Sequence, residues 1–288
     1  MVSVVLCARN AAEVVERQLA ALAAQDLTAP WELVVVDNAS RDATVDVVRS
    51  ACEAQRTWRL VREPASGVNR ARNSGVRATG APLVVHCDAD DEVDAAWLRH
   101  LVTALADADV VGGRLVDDPT AHTTTHWRNE AQRDELPRFF GRPYSFGATL
   151  GYRREVFDRL GGFDITYEHG GNDVEFCIRA ADAGCVFAFV PDAVVRYRPR
   201  PTRWLLVRQQ FRYGRGHQCL AATRNLPGAS GSLGRRSVAL LDDWARSVRL
   251  LPRLARAKGR DELLARIAYL SGEAVELVSG VRRRSQRS

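Results

Sequence analysis

Residues 83–91 read Leu-Val-Val-His-Cys-Asp-Ala-Asp-Asp. A run of strand length, Leu83–Cys87, stops directly against three carboxylates in four residues: Asp88, Asp90 and Asp91. Carboxylates this close repel one another, and a buried strand end tolerates them poorly without a cation. At i and i+2, Asp88 and Asp90 can share a hard divalent ion with substrate phosphates. The plainer alternative is a solvated acidic turn that caps the next helix. The surrounding pattern weighs on this choice. Val2–Ala8 and Trp31–Val36 are apolar runs of the same kind, followed by Arg9-Asn10 and by Asp37-Asn38-Ala39-Ser40. Helical spacing separates them: Val14, Val15, Leu19 and Leu22 lie within 13–25, and Ser40 and Asp42 can cap a helix through about Gln55. A short helix follows over 70–78, and Asp94 can cap one carrying Trp97, Leu98, Leu101, Val102 and Leu105. Trp58–Arg62 and Asp109–Val116 supply further strands. Apolar strands alternating with helices predict an α/β fold, a parallel sheet covered on both faces. Such sheets bind ligands beyond the carboxyl ends of their strands, here Ala8–Glu13, Asp37–Ser40 and Asp88–Asp91.

Composition narrows the function classes. The 288 residues are 46% hydrophobic and 26% charged, ordinary for a globular chain and ample for a core. The net charge of +6 is uneven: from Gly228 to Ser288 there are 13 basic and 6 acidic residues, so the remainder carries about −1. The main body is therefore not a basic nucleic-acid-binding domain. No run of 18 apolar residues signals a membrane span. The N-terminus, MVSVVLCARN, reads as a buried strand, not a signal peptide. Six scattered cysteines form no C-x-x-C pair, which fits a reducing, cytoplasmic compartment. Ala8–Gln18 contains no glycine, which excludes a dinucleotide fingerprint, and no G-x-x-x-x-G-K is present for a P-loop.

Beyond residue 116 the pattern loosens. Residues 117–140 read as an insertion or lid, with His122 and His126 in an exposed loop and Trp127 at an edge. Ser145–Tyr152 and Val186–Val190 read as strands, with a helix over 173–183 between them. Asp173 falls at that helix's N-terminus behind Gly170-Gly171, where the helix dipole favours an ionised carboxylate suited to a general base. An ordinary helix cap is the alternative. Trp204–Thr223 reads as a helix and 228–234 as a flexible linker. Helical segments over 238–251 and 261–279 follow, then Arg282-Arg283-Arg284. The expected division is a domain over 1–227 and a basic helical extension over 228–288.

The ordered set VSVVLCARNAAEVVERQLAALAAQ, WELVVVDNASRDAT, SGVNRARNSGVRATGAPLVVHCDADDE and GYRREVFDRLGGFDITYEHGGNDVEFCIRAADAGC resembles glycosyltransferase family 2 over roughly residues 2–220. The resemblance implies a GT-A fold: a Rossmann-like, mixed, mostly parallel sheet flanked by helices, here with a helical C-terminal extension. It implies an inverting, metal-dependent transfer from a nucleoside-diphosphate sugar to an acceptor hydroxyl. By position, Asp90 is the expected ligand of Mn2+ or Mg2+, and Asp88 contacts metal or ribose. Asp37 and Asn38 contact the base, Ala8, Arg9 and Glu13 form the donor loop, Arg72 faces the donor, and Asp173 is the base. Four positions depart from the family pattern. The first loop lacks its aromatic residue, Asn38 and Asn172 stand where acids are common, and Tyr197 stands where a histidine is frequent. Gln209–Tyr213 weakly resembles the Q-x-x-R-W of processive members, which places Arg212 on the diphosphate or acceptor side. The basic segment 228–288 suits an anionic membrane surface at the inner face, or a second copy of the chain. A non-catalytic nucleotide-sugar-binding module and a metal-dependent nucleotidyltransferase are the rival readings.

Overall fold

The structure, a computed structural model, describes residues 1–118, 135–167, 170–224 and 257–285, the last of these by side chain only within 260–277. The expected histidine loop and Trp127, most of the expected lid, the linker at 228–234 and the helix at 238–251 lie outside the described residues.

Two units emerge. The first comprises residues 1–117, 130–166 and 172–198. Its apolar runs become β1 (Val2–Ala8), β2 (Trp31–Asp37), β3 (Trp58–Arg62) and β4 (Leu83–Asp88), with α1 (Val15–Ala23), α2 (Thr44–Ala54) and α3 (Val68–Arg77) between them. β5 (Glu92–Val93), α4 (Trp97–Ala104) and β6 (Val110–Asp117) follow. Then come a short hairpin, β7 (Arg138–Phe139) with β8 (Arg142–Pro143), a 3-10 turn over Gly147–Thr149, and β9 (Leu150–Arg153). α5 (Arg154–Leu160), α6 (Asn172–Asp182) and β10 (Phe187–Tyr197) complete the unit. Eight strands form one sheet in the order β3-β2-β1-β4-β9-β6-β10-β5. β3, β2, β1 and β4 are mutually parallel, as are β6 and β10, while β9 and β5 run antiparallel.

Apolar burial on both sheet faces explains the continuous strand pattern. One core holds Leu6, Leu22, Leu33, Trp97, Leu98 and Leu101; the other holds Val5, Val34, Leu150, Tyr152, Phe157 and Phe176. Local boundaries depart from expectation for identifiable reasons. α1 begins at Val15, because a turn in which the N–H groups of Val14 and Val15 donate to Ala11 O precedes it. Ser40 and Asp42 make no cap to α2. Ser40 Oγ accepts from Asn10 N–H at 3.0 Å, and the Asp42 carboxylate accepts from Ala12 and Thr44 N–H, so both tie the β1 and β2 loops together. Asp94 likewise makes no side-chain cap to α4; its carboxylate pairs with Arg196 at 2.5 Å. The strand expected over 145–152 is the 3-10 turn followed by the short β9, and β10 runs on past a register shift between Val190 and Val194.

The second unit comprises residues 118–129, 167–171 and 199–288, and its described helices are α7 (Arg203–Thr223) and α8 (Ala257–Ser285). Their backbones meet closely: a Cβ on Gly214 would strike Tyr269 O, and one on Gly272 would strike Phe211 O. Arg203 pairs with buried Asp261 at 2.5 Å and Arg215 with buried Glu276 at 3.0 Å. His217 Nδ1 and Tyr269 Oη lie 2.8 Å apart. Among the described residues, no helix is long and apolar enough to cross a membrane.

α3 lies so close on the sheet that a Cβ at Gly75 would overlap Val5 Cγ1 and stand 2.9 Å from Val36 Cγ2. Both valines are fully buried, so neither has room to yield. Gly75→Ala is expected to destabilise the fold by roughly 1–3 kcal/mol, read by urea unfolding; an unchanged midpoint would contradict this packing.

Candidate active site

Parallel pairing puts the strand ends level. Ala8 pairs in register with Asp37, Cys7 with Asp88, and Asp37 with Arg62. The carboxyl ends of β1, β2 and β4 therefore form one edge, where no next turn of strand competes for ligand space. Because β9 is antiparallel and pairs Leu150 with His86, the 3-10 turn before it emerges at that same edge, beside the end of β4. Asp173 follows: its Oδ2 accepts from Gly147 N–H at 2.7 Å, and Oδ1 from Val174 N–H at 3.0 Å. Asp173 lies in the first turn of α6, so its carboxylate is oriented by these two N–H groups at the helix N-terminus.

Oxygens of Asp88, Asp90 and Asp91 lie within 4.8 Å of one another. Asp91 is buried and its Oδ1 accepts from Arg198 N–H at 3.0 Å, which ties the acidic loop to the end of β10. An ion-pair chain fixes the following segment: Arg17 and Arg196 each hold Glu92, at 2.9 and 3.0 Å, and Arg196 also holds Asp94. The half-buried Asp88 and Asp90 complete the cluster. An all-oxygen set of this kind suits Mg2+ or Mn2+ and would be a poor site for a soft metal.

Arg72 is the opposing charge. Only 6% of it is exposed, its guanidinium sits 5.3 Å above the Phe163 ring, and its Nη1 has no hydrogen-bond partner among the described residues. A Cβ on Gly147 would collide with Arg72 Nη2, so the missing side chain there makes room for the guanidinium. Burial pushes the Cys7 thiol up to about 12, while Arg72 pulls it down and Asp88 pushes it further up; the thiol senses both charges. Arg72 and the acidic cluster are thus neighbours at one strand edge. Beneath them His86 Nε2 meets Tyr152 Oη at 2.7 Å, and burial, then Arg72, hold the imidazole neutral.

The other expected residues divide. Asp37 is buried, its Oδ1 accepting from Ser40 N–H at 3.2 Å and its Oδ2 lying 3.5 Å from exposed Arg62. Ala8 is buried and its carbonyl accepts from Asn38 N–H at 2.8 Å. Arg9 is exposed and its guanidinium donates to Ser66 Oγ; Glu13 is exposed in the turn before α1. Arg212 belongs to the second unit and is exposed on α7. Tyr197 closes β10, in register with Asp117.

Asn38 is tied into the neighbouring loop by both ends of its amide. Its Nδ2 donates to the carbonyls of Ala65 and Glu63 at 2.8 and 3.3 Å, and its Oδ1 accepts from Gly67 N–H at 2.8 Å. The amide is spent on holding loop 63–67, which leads into the helix carrying Arg72. Glu63 secures the same loop from within, accepting from Ala65 N–H and from Ser74 Oγ–H. A carboxylate could not make the two donations, which is a physical reason for amide chemistry at this position. Gly147 is the residue that the sequence reading missed. A glycine inside an apparent strand signals a close backbone approach, and here the approach is by Arg72 and Asp173. Asn38→Asp is expected to set a carboxylate against two carbonyls and lower stability by at least about 2 kcal/mol in urea unfolding. An unaltered midpoint would remove Asn38 from this role.

Comparison with known proteins adds family identity to this geometry. The family model described as "Glycosyl transferase family 2" matches residues 3–161, and one described as "Glycosyl transferase family group 2" matches 83–256. Glycosyltransferase AglE of Haloferax volcanii is 28% identical over 224 residues, 75% of this chain and 72% of that protein. An uncharacterized glycosyltransferase of Mycobacterium tuberculosis is 30% identical over 253 residues, 84% of this chain and 96% of its own. Among solved structures, mannosyltransferase PcManGT from Pyrobaculum calidifontis, in complex with GDP-Man and Mn2+, matches with a TM-score of 0.67 at 24% identity, covering 96% of this chain and 86% of that one. TarS 1-349 of S. aureus, in complex with UDP, matches with a TM-score of 0.59 at 16% identity over 77% of this chain and 65% of that one. These likenesses establish the GT-A fold of the sheet. With one family model spanning more than half of its length, the chain belongs to glycosyl transferase family 2 and is a glycosyltransferase.

Proposed function

We propose that this glycosyltransferase takes its sugar from a nucleoside diphosphate and passes it, with inversion, to an acceptor hydroxyl, using a divalent metal. The observation that carries this reading is the three-carboxylate cluster at the end of β4, with the buried Arg72 beside it. The solved relatives that bind GDP-Man with Mn2+ and UDP-GlcNAc support a donor of this class and leave its base open.

Asp88 and Asp90 would hold the ion, either Mn2+ or Mg2+. Bound there, it supplies Lewis-acid neutralisation of the charge that develops on the departing diphosphate. Arg72 offers that diphosphate a fixed, desolvated guanidinium whose unspent N–H groups need no reorganisation. Asp37, Ala8 and Arg9, at the ends of β1 and β2, line the nucleoside side of the edge, with Glu13 at its rim and Asn38 keeping loop 63–67 in place. Asp173 takes the proton of the acceptor hydroxyl. Each of its oxygens already accepts one N–H, which orients the carboxylate, and a further lone pair remains for the incoming proton. Attack by that hydroxyl opposite the departing diphosphate inverts the anomeric carbon.

Asp173→Asn should lower the transfer rate by about 10^2-fold or more while leaving calorimetric affinity for the nucleoside diphosphate within about twofold. An equal loss of donor affinity would contradict its role as base. A thermal-shift screen of GDP, UDP and TDP with and without Mn2+ should show a base-selective stabilisation that requires the metal. In Asp90→Ala that requirement should vanish, and an undiminished metal-dependent shift would take Asp90 out of the site.

A further inference from the structure

Arg114 repeats on β6 what Arg72 shows on α3. It is half-buried, and its guanidinium lies 5.8 Å from the centre of the Phe189 ring on β10. Its Nε is wholly buried without a hydrogen-bond partner, and the guanidinium makes no ion pair among the described residues. Nε alone of its three nitrogens is closed off in this way, so the two Nη groups stay open. Other half-buried arginines of the same unit are answered by a carboxylate: Arg142 by Asp182, Arg153 by Asp109 and Arg179 by Glu175. Unmet buried N–H groups are rare because they are costly. Register fixes where this one stands. Leu150 of β9 pairs with His86 of β4 on one side and with Gly112 of β6 on the other. β4 and β6 therefore run level, and two residues further on Asp88 and Arg114 come level on one sheet face. The turn over Gly147–Thr149, which leads into β9, stands between them. It presses on β6 just before Arg114: a Cβ on Gly112 would strike Ser145, and one on Gly113 would strike Thr149. That turn holds Asp173 through Gly147 N–H. Across the edge the order is the acidic cluster, then the base, then Arg114.

We infer that Arg114 receives an anionic group, a phosphate or a carboxylate, carried by the acceptor. The inference rests on the donor reading proposed above. In an inverting displacement the departing diphosphate and the incoming hydroxyl lie on opposite sides of the anomeric carbon. The carboxylates and Arg72 belong to the diphosphate side. Arg114 lies beyond the base, on the side from which the hydroxyl comes. The planar fork of a guanidinium matches the paired oxygens of a phosphate or carboxylate. The Phe189 ring beneath it holds the head in place before a ligand arrives, so little ordering remains to be done on binding. An acceptor without charge would leave the guanidinium unanswered, so the same residue that favours an acidic acceptor selects against a neutral one.

The test first saturates the full chain with the nucleoside diphosphate and Mn2+ that shift its melting, which occupies the cluster and Arg72. The saturated chain is then titrated by calorimetry with methyl phosphate, acetate and methanol. At least one of the two anions should bind and methanol should not. Arg114→Gln should weaken that anion roughly tenfold, with affinity for the diphosphate within about twofold because the two sites share no partner. Its urea midpoint should be unchanged or higher, since the substitution removes an unmet buried N–H. Should Arg114→Gln fail to fold, Arg114→Lys carries the test: it keeps the charge, lacks the fork, and should bind the anion several-fold more weakly. Anion binding that survives substitution, that methanol matches, or that is missing from the unmodified chain would overturn the inference. A lowered midpoint with anion affinity intact would make Arg114 a support for Phe189 and overturn it too. A glucuronic acid donor that binds more tightly than its glucose counterpart, through Arg114, would move the anion to the donor and overturn the acceptor assignment. A missing response to nucleotide and Mn2+ would fell the donor reading and this inference with it. A normal response followed by a flat anion titration overturns this inference alone.

Discussion

The in-register parallel pairing of β1 with β2 and β4 is the constraint from which the rest follows. Parallel strands must all leave the sheet at the same edge, so the residues after each apolar run are gathered without any further instruction. Ala8 comes level with Asp37 and Cys7 with Asp88 because their strands begin level, at Val2, Trp31 and Leu83. The antiparallel β9 then does what another parallel strand could not: it brings its preceding turn, rather than its following one, to that edge. Through Gly147 that turn carries the hold on Asp173.

Charge is organised around the same edge. Three carboxylates this close repel one another. The fold relieves one by the Arg198 N–H and sets Arg72 close by. Arg72 has little solvent and a phenylalanine ring for company. Such a guanidinium is expensive to bury and is retained where an anion comes to meet it.

Much of this was legible in the sequence. The apolar strands were, because burial on both faces leaves no alternation to confuse them with helix. So was the gathering of polar residues at one sheet edge, because each apolar run, LVVHC among them, stops directly against a polar stretch. What escaped depended on partners distant in the chain. Ser40 and Asp42 looked like helix caps, yet their acceptors serve N–H groups some thirty residues earlier. The amide partners of Asn38 lie 25–29 residues on, in a loop whose path no local pattern reveals. Gly147 sat inside an apparent strand, and only its two neighbours in space show why it must lack a side chain.

Loop 63–67 carries a consequence for acidity. Its two anchors belong to different chemical classes: the Asn38 amide does not titrate, whereas Glu63 does. The Ser74 hydroxyl, then the Ala65 N–H, hold the Glu63 carboxyl below its ordinary 4.5. A depressed native value means that this anchor is at full strength above 4.5 and is lost as the pH falls through that lower value. Asn38 keeps its three bonds throughout. The loop that leads to Arg72 thus has a proton-sensitive hold backed by a proton-blind one.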